Sequence, residues 1–283
     1  MHQHQTQNNI AIAFYLNLSF TLIEIVGGIF TNSIAIQSDA LHDIGDSVSL
    51  GLAWYFQKLS SKSENNLFTY GYKRFNTLGA VITGVILAAG SVYILMESIP
   101  RFFKPESVQS EGMIGLAILG VIVNSAAVWR LKKGGNSLNE KMLFWHLMED
   151  VLGWIAVLVG SIIMYLYQIY WIDPLLSVLI TVYILYNVVK NLKKAILIML
   201  EATPDNVRVH NVTELIETFE DVKKAYHIHV WTLDGENHLL TAHIVVNKHK
   251  TMEDIKPLRQ NITNQLEEKL GLGHVTLEFE MEE

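Results

Sequence analysis

Two short runs of ionisable residues interrupt otherwise apolar sequence. SDALHDIGDSVSL, residues 38–50, carries Asp39, His42, Asp43 and Asp46, and WHLMEDVLGW, residues 145–154, carries His146, Glu149 and Asp150. On a helix the offsets i, i+3, i+4 and i+7 fall on one stripe, so each run turns its ionisable groups toward one side. A single Asp, Lys or Arg at mid-membrane costs roughly 2.5 to 3.5 kcal/mol on insertion scales, so such clusters point to function rather than drift. If the two helices face each other, two imidazoles and two carboxylates converge on one cation. Nitrogen and oxygen ligands in tetrahedral array suit zinc, whereas calcium or magnesium favours more ligands and an all-oxygen set. All seven groups share the two stripes, and spacing alone does not choose among them.

The elements that must position these groups are membrane helices. Six apolar segments, near 9–31, 33–57, 77–100, 111–131, 142–167 and 174–199, are each long enough to cross a hydrocarbon core, which takes roughly 20 residues of helix. Thr31, Asn32 and Ser33 barely separate the first two, which makes those helices antiparallel neighbours. Few other polar residues interrupt the segments: Asn17 and Glu24 in the first, Asn124 in the fourth. Tyr165, Tyr167, Tyr170 and Trp171, followed by Asp173 and Pro174, mark an interfacial turn and the start of the sixth helix.

Charge in the loops sets orientation. One side holds Lys58, Lys62, Lys73, Arg74, Arg130, Lys132, Lys133, Lys141, Lys190, Lys193 and Lys194, and the other only Arg101 and Lys104, which places both termini in the cytoplasm. The N-terminal MHQHQTQNN has no Lys or Arg and no small-residue cleavage site, so a cleaved signal peptide is not expected and the first apolar run is read as an anchor. The chain has no cysteine, which excludes disulfides, thiolate metal sites and cysteine nucleophiles. A net charge of −7 argues against nucleic acid as a partner.

Residues 1–202 thus read as an all-α membrane domain and residues 203–283 as a small soluble α+β domain. Val212, Leu215, Ile216 and Phe219 make an amphipathic helix; strands are expected near 222–233 and 238–246, joined by Asp234, Gly235, Glu236 and Asn237. Thr251 with Asp254 can cap a second helix that Gly271 ends, and a last strand covers about 274–280. The order α-β-β-α-β suits a ferredoxin-like or metallochaperone-like open sheet with both helices on one face. Alternation sends Tyr226, Ile228 and Val230 inward. It gathers His227, His229, Trp231, His243, His274, Thr276, Glu278 and Glu280 on the outer face. Among these, His229, His243 and Glu278 lie on three strands and form a candidate second metal set.

The paired His-x-x-x-Asp motifs, His42 to Asp46 and His146 to Asp150, resemble those of the cation diffusion facilitator family of zinc transporters. FTNSIAIQSDALHDIGD resembles that family's first loop and second helix, TYGYKRFNTLGA its entry to the third helix, and YHIHVWTL its first cytoplasmic strand. The resemblance covers nearly the whole chain. It implies a transport site of His42, Asp46, His146 and Asp150, with Asp39, Asp43, Glu149 and Glu24 as supporting neighbours or a proton path. It further implies a multi-pass protein of the bacterial inner membrane, a homodimer that exports zinc, with cadmium or cobalt as further cargo, in exchange for protons by alternating access. Zinc is then substrate rather than cofactor, and structural zinc in the soluble domain is a second expectation. The sequence departs from the family in its helix four to five connection, KKGGNSLNEK, which lacks histidine and leaves His2 and His4 as the only tail histidines. Phe68 and Tyr72 also stand where some members place histidines that bind loop metal.

Two other classes compete with transport. A membrane metalloenzyme would want an open metal position and a general base, yet no His-Glu-x-x-His and no paired Glu-x-x-His is present. A membrane-anchored metal sensor would leave the intramembrane ligands without a purpose.

Overall fold

The computed structural model describes residues 2–60, 64–131 and 138–282. Within these, the side chains of residues 2–13, 16, 53–54, 57–58, 60, 130–131, 138–143 and 145–146 lie outside the description. Six long helices come first: α1 His2–Thr31, α2 Ile34–Ser60, α3 Arg74–Phe103, α4 Ser110–Leu131, α5 Leu138–Tyr167 and α6 Ile172–Met199. They are followed by α7 Val209–Glu217, β1 Val222–Thr232, β2 His238–Val246, α8 Met252–Leu270 and β3 His274–Met281. Contacts divide the chain into two units, residues 1–55 with 82–192, and residues 56–81 with 193–283. The second unit thus takes in the α2–α3 connection and the end of α6 as well as the soluble domain.

The first unit inverts the usual surface pattern, burying polar groups among apolar ones and turning large apolar side chains outward. Thr21, Glu24, Ser33, Ser38, Asp39, Ser47, Ser91, Ser98, Ser161, Ser177 and Thr181 are buried, while Ile23, Phe30, Val85, Tyr93, Ile122, Leu152 and Tyr186 are exposed. That inversion is how a bundle solvated by lipid is built, because apolar surface gains nothing by hiding from hydrocarbon while polar groups must find one another. Among the described residues, α3, α4, α5 and α6 are long and apolar enough to cross a membrane, and α1 contributes a shorter apolar stretch, Asn17–Thr31. α2 falls short of that standard for the reason that makes it interesting: Asp39, Asp43 and Asp46 interrupt its apolar surface.

Close helix packing depends on small residues. Gly45 on α2 and Gly90 on α3 make room for Leu87 and Leu41 of the opposite helix, and a Cβ at Gly120 on α4 would overlap the Trp154 ring of α5. Trp154 is 1% exposed and packs among Ala117, Met113, Val157 and Phe20, so it has nowhere to retreat.

In the second unit Asn65 organises the α2–α3 connection. Its Oδ1 accepts from the N–H groups of Leu67 and Phe68, its Nδ2 donates to the Tyr72 hydroxyl at 2.6 Å, and the Phe68 and Tyr72 rings stack at 4.7 Å. Lys73 Nζ donates to Asn237 Oδ1 at 2.7 Å, and Arg74 pairs with Glu201 at the same distance.

The soluble portion is a three-stranded sheet of order β1-β2-β3, with β1 and β2 antiparallel and β2 and β3 parallel. Val212 and Ile216 of α7 and Ile255, Leu258, Ile262 and Leu266 of α8 bury the sheet's inner face of Leu240, Ala242, Ile244 and Val246. Thr251 and Asp254 form a reciprocal capping box at the start of α8, and Gly271, at φ 68°, ends it in the left-handed region. Asp234 Oδ1 accepts from the N–H groups of Glu236 and Asn237, closing the hairpin turn.

One strand departs from simple alternation. Tyr226, expected inward, lies on the outer face with its ring 5.4 Å from His243. The register of β1 slips between Tyr226 and His229, where His227 adopts φ 51°, and this bulge reverses the alternation upstream of it.

Gly120→Ala is expected to destabilise the bundle by about 1 to 3 kcal/mol, the usual cost of overpacking. The thermal midpoint in detergent should fall, whereas Gly115→Ala on the same helix, where a Cβ meets open space, should leave it unchanged.

Candidate metal centre

The ionisable stripe of α2 meets α5 in the interior of the first unit. His42 Nε2 lies 3.9 Å from Asp46 Oδ2, one turn along its own helix, and 3.9 Å from Asp150 Oδ1 on α5. These side chains are 17%, 26% and 15% exposed, so the group is partly rather than fully buried. Two donors bound to one zinc ion at about 2.05 Å in tetrahedral geometry are roughly 3.3 Å apart, so His42 stands about half an ångström beyond ligand spacing from each of the two carboxylates.

The backbone shows how the helices line up. A Cβ at Gly153 on α5 would stand 4.0 Å from Asp39 Oδ1, so Asp39 lies opposite Gly153 as His42 lies opposite Asp150. Positions rise on α2 as they fall on α5, so the two helices run antiparallel. One further turn of that series sets Asp46 against position 146. The His146 side chain itself lies outside the described residues, as do those of His2 and His4.

The supporting carboxylates come from two helices. Asp39 is 8% exposed and interacts with Asp43, Asp150 and Asp46, and Asp43 interacts with Asp150, His42 and Asp46. Glu24 of α1 is 1% exposed and faces the same cluster, interacting with Asp43, Asp39 and Asp150. α1 is fixed beside α2 by Asn17, whose Nδ2 donates to the Asp43 carbonyl at 3.1 Å and to Ser47 Oγ at 3.0 Å. Glu149 is half-buried and, among the described residues, has no ion pair into the cluster. Asn124 bonds within its own helix, donating to the Gly120 carbonyl at 3.1 Å.

A second group occupies the outer face of the sheet. His243 Nδ1 donates to Glu280 Oε1 at 2.7 Å and its Nε2 lies 3.6 Å from Glu278 Oε2. Among the described residues, these three alone bring ligand atoms within metal-binding reach of one another. The hydrogen bond from His243, joined by that from the Tyr226 hydroxyl at 2.6 Å, holds the Glu280 carboxyl below the usual carboxylate range. His229, expected in this set, is displaced from it. Its ring meets that of His227 edge to face at 4.7 Å, and His227 stands 5.1 Å from His243. In the ladder His229 stands opposite Thr241, and the bulge sets Tyr226 opposite His243. Glu280 was missing from the expected trio although it sits two residues beyond Glu278 on the same strand face, and that spacing was the signal that could have included it.

Comparison with known proteins places this geometry in a family. Residues 10–200 match the family model described as the cation efflux transmembrane domain, and residues 204–282 match that of the cation efflux protein cytoplasmic domain. The chain is 34% identical to the cadmium, cobalt and zinc/H(+)-K(+) antiporter of Bacillus subtilis, over 99% of this chain and 92% of that one. It is 32% identical to the metal cation efflux system protein CzcD of Cupriavidus metallidurans, covering 99% and 88%. It is 29% identical to the zinc transporter ZitB of Yersinia pseudotuberculosis, covering 98% and 89%. The solved metal-bound C-terminal domain of the CzcD transporter of C. metallidurans is 28% identical over 26% of this chain and 99% of that one, with a TM-score of 0.23. With both of its domains matched, and in that order, the chain belongs to the cation efflux, or cation diffusion facilitator, family: it is a multi-pass membrane transporter of metal cations and not an enzyme.

Proposed function

We propose that this protein exports divalent transition-metal ions, zinc foremost and cadmium and cobalt besides, from the cytoplasm in exchange for protons. The cargo site is His42 and Asp46 of α2 with His146 and Asp150 of α5. The observation that carries the reading is the equal 3.9 Å separation of His42 Nε2 from carboxylate oxygens on both helices, inside a unit whose outer surface is apolar. The names of the relatives support the choice of metals.

Local charge explains why metal and protons should exchange. Two ionised carboxylates and two neutral imidazoles carry two negative charges, which one divalent cation cancels. Two protons on the same ligands cancel them equally. Either loaded form crosses the low-dielectric interior without net charge, whereas the empty ionised form is costly there. Ligands must lose protons to bind metal, so competition for one set of atoms is the coupling. Asp39 and Asp43 orient His42, and Glu24 closes the cluster from α1; Glu149 supports Asp150 from the same turn.

Residues 1–202 form the membrane domain with six crossings, and residues 203–283 the cytoplasmic domain, both termini facing the cytoplasm of a bacterial inner membrane. The Lys and Arg bias of the loops and the family description of residues 204–282 support that orientation. The working unit is a homodimer, as the family resemblance implies. His243, Glu278 and Glu280 form a second metal site, fed by cytoplasmic ions, with His229 and His227 beside it.

Proteoliposomes with an imposed pH gradient are expected to move zinc, and Asp46→Ala or Asp150→Ala to reduce the flux by two orders of magnitude or so while the protein still inserts. Normal flux in either variant would refute the site. Because the Bacillus relative is named for both H(+) and K(+), a potassium gradient at equal pH is the decisive control: flux driven by potassium alone would replace the proton as counter-ion.

His243→Ala combined with Glu280→Ala is expected to lower zinc bound at equilibrium by one ion per chain while leaving flux measurable. Unchanged stoichiometry would remove the soluble-domain site and leave the transport site standing.

A further inference from the structure

The helix that carries His42 and Asp46 is held at its N-terminus by a side chain from the other end of the membrane domain. Ser33 caps α2, its Oγ accepting from the Ile36 N–H at 3.2 Å, and the same hydroxyl donates to Asp173 Oδ1. The Ile34 N–H donates to Asp173 Oδ2 at 2.8 Å and the Ala35 N–H to Oδ1 at 3.3 Å. Asp173 is 1% exposed, and Ser33, Ile34 and Ala35 are fully buried. A helix start leaves four N–H groups without partners inside the helix. Here one carboxylate and the hydroxyl it fixes satisfy those of Ile34, Ala35 and Ile36, at the end where the helix dipole favours negative charge.

The contact is part of a longer seam. Five residues beyond Ser33, Ser38 Oγ bonds Thr181 Oγ1 at 2.7 Å, eight residues beyond Asp173 and also buried. Positions rise together on α2 and α6, so these are parallel helices pinned at two heights. The turn before α2 is tied as well. The Gln109 N–H donates to the Thr31 carbonyl at 2.9 Å, and Arg101 donates to the Asn32 carbonyl and Oδ1 at 3.2 and 2.9 Å. α2 therefore has a fixed start, and Asp39 and His42 follow within three turns of it.

We infer that Asp173 is a positioning residue for metal transport, setting the rotation and depth of α2 so that His42 and Asp46 meet the ligands of α5. This rests on the transport site proposed above. A rotation of about 20° about the helix axis would move a donor atom about 6 Å from that axis by roughly 2 Å, while metal–ligand distances tolerate about 0.2 Å. A free helix start would leave that rotation to packing alone. Pinned, it fixes ligand geometry from a point that touches no metal.

The test compares zinc and cadmium flux in proteoliposomes for the parent protein and for Asp173→Ala, Asp173→Asn and Asp46→Ala, with inserted protein quantified in each. Because the ratio of the two fluxes in one preparation cancels the amount of folded protein, it reads site geometry and not stability. Asp173→Ala is expected to raise the KM for zinc about tenfold and to shift the zinc-to-cadmium ratio several-fold toward the larger ion. Asp173→Asn keeps one of the two oxygen acceptors, enough for the Ala35 N–H and the Ser33 hydroxyl or for the Ile34 N–H but not for all three, and should restore part of both values. If Asp173→Ala fails to insert, Ser33→Ala, which removes the capping hydroxyl alone, should shift the ratio in the same direction. An unchanged ratio and KM in whichever variant inserts, alongside a dead Asp46→Ala, overturns the role of Asp173 and spares the transport site. Normal flux in Asp46→Ala overturns both.

Discussion

The constraint on which the membrane domain depends is that five carboxylates and an imidazole share a small volume in a medium that tolerates charge poorly. Glu24, Asp39, Asp43, Asp46 and Asp150 come from three helices, and each is within electrostatic reach of another. Packing that would be arbitrary in an apolar bundle is specified by the need to place these groups. Gly153 admits Asp39, Asn17 ties α1 to the carbonyl of Asp43, and Ser47 takes the other bond from the same amide. Carboxylates held this close cannot all stay ionised without a compensating cation, which is the physical basis of the exchange proposed above.

Outside that cluster, the bundle is held by two devices suited to lipid. Glycines set against Leu and Trp side chains let helices approach closely, gaining dispersion where no hydrophobic effect operates between helices. Hydroxyl pairs such as Ser98 with Ser177 at 2.8 Å and Ser38 with Thr181 at 2.7 Å bond across helices in pairs that satisfy each other. The two α6 residues bond α3 and α2. α6 thus supplies no proposed ligand and acts on α2 from outside, as a rail rather than a wall of the site.

Much of this was legible in sequence because its signals are local. Period 3.6 marked both ionisable stripes, Thr251 with Asp254 marked a capping box, and period two marked the buried face of β2. The parts that were not legible are nonlocal or locally exceptional. Ser33 and Asp173 are 140 positions apart, and no pattern in either neighbourhood announces the other. His227 adopts a left-handed conformation without being glycine, so the bulge that turns Tyr226 outward, opposite His243, had no composition signal. α2 illustrates a conflict between two rules: the residues that make it functional also remove it from the helices apolar enough to be recognised as membrane-crossing.

The two candidate metal sites differ in what it costs them to be empty, and that difference separates their roles. On the sheet, His243 already bonds Glu280 and approaches Glu278, and water reaches all three, so the vacant arrangement satisfies itself. Metal there must displace existing bonds, and occupancy should follow the concentration of free ion. In the bundle the carboxylates face one another with Asp39 and Glu24 buried, so under the proposed exchange occupancy would be driven by the cost of leaving them ionised together. On the proposed assignment, a site of the first kind would report on metal and a site of the second kind would carry it. Imidazole and carboxylate ligands serve both sites, and what separates the proposed roles is the medium around them.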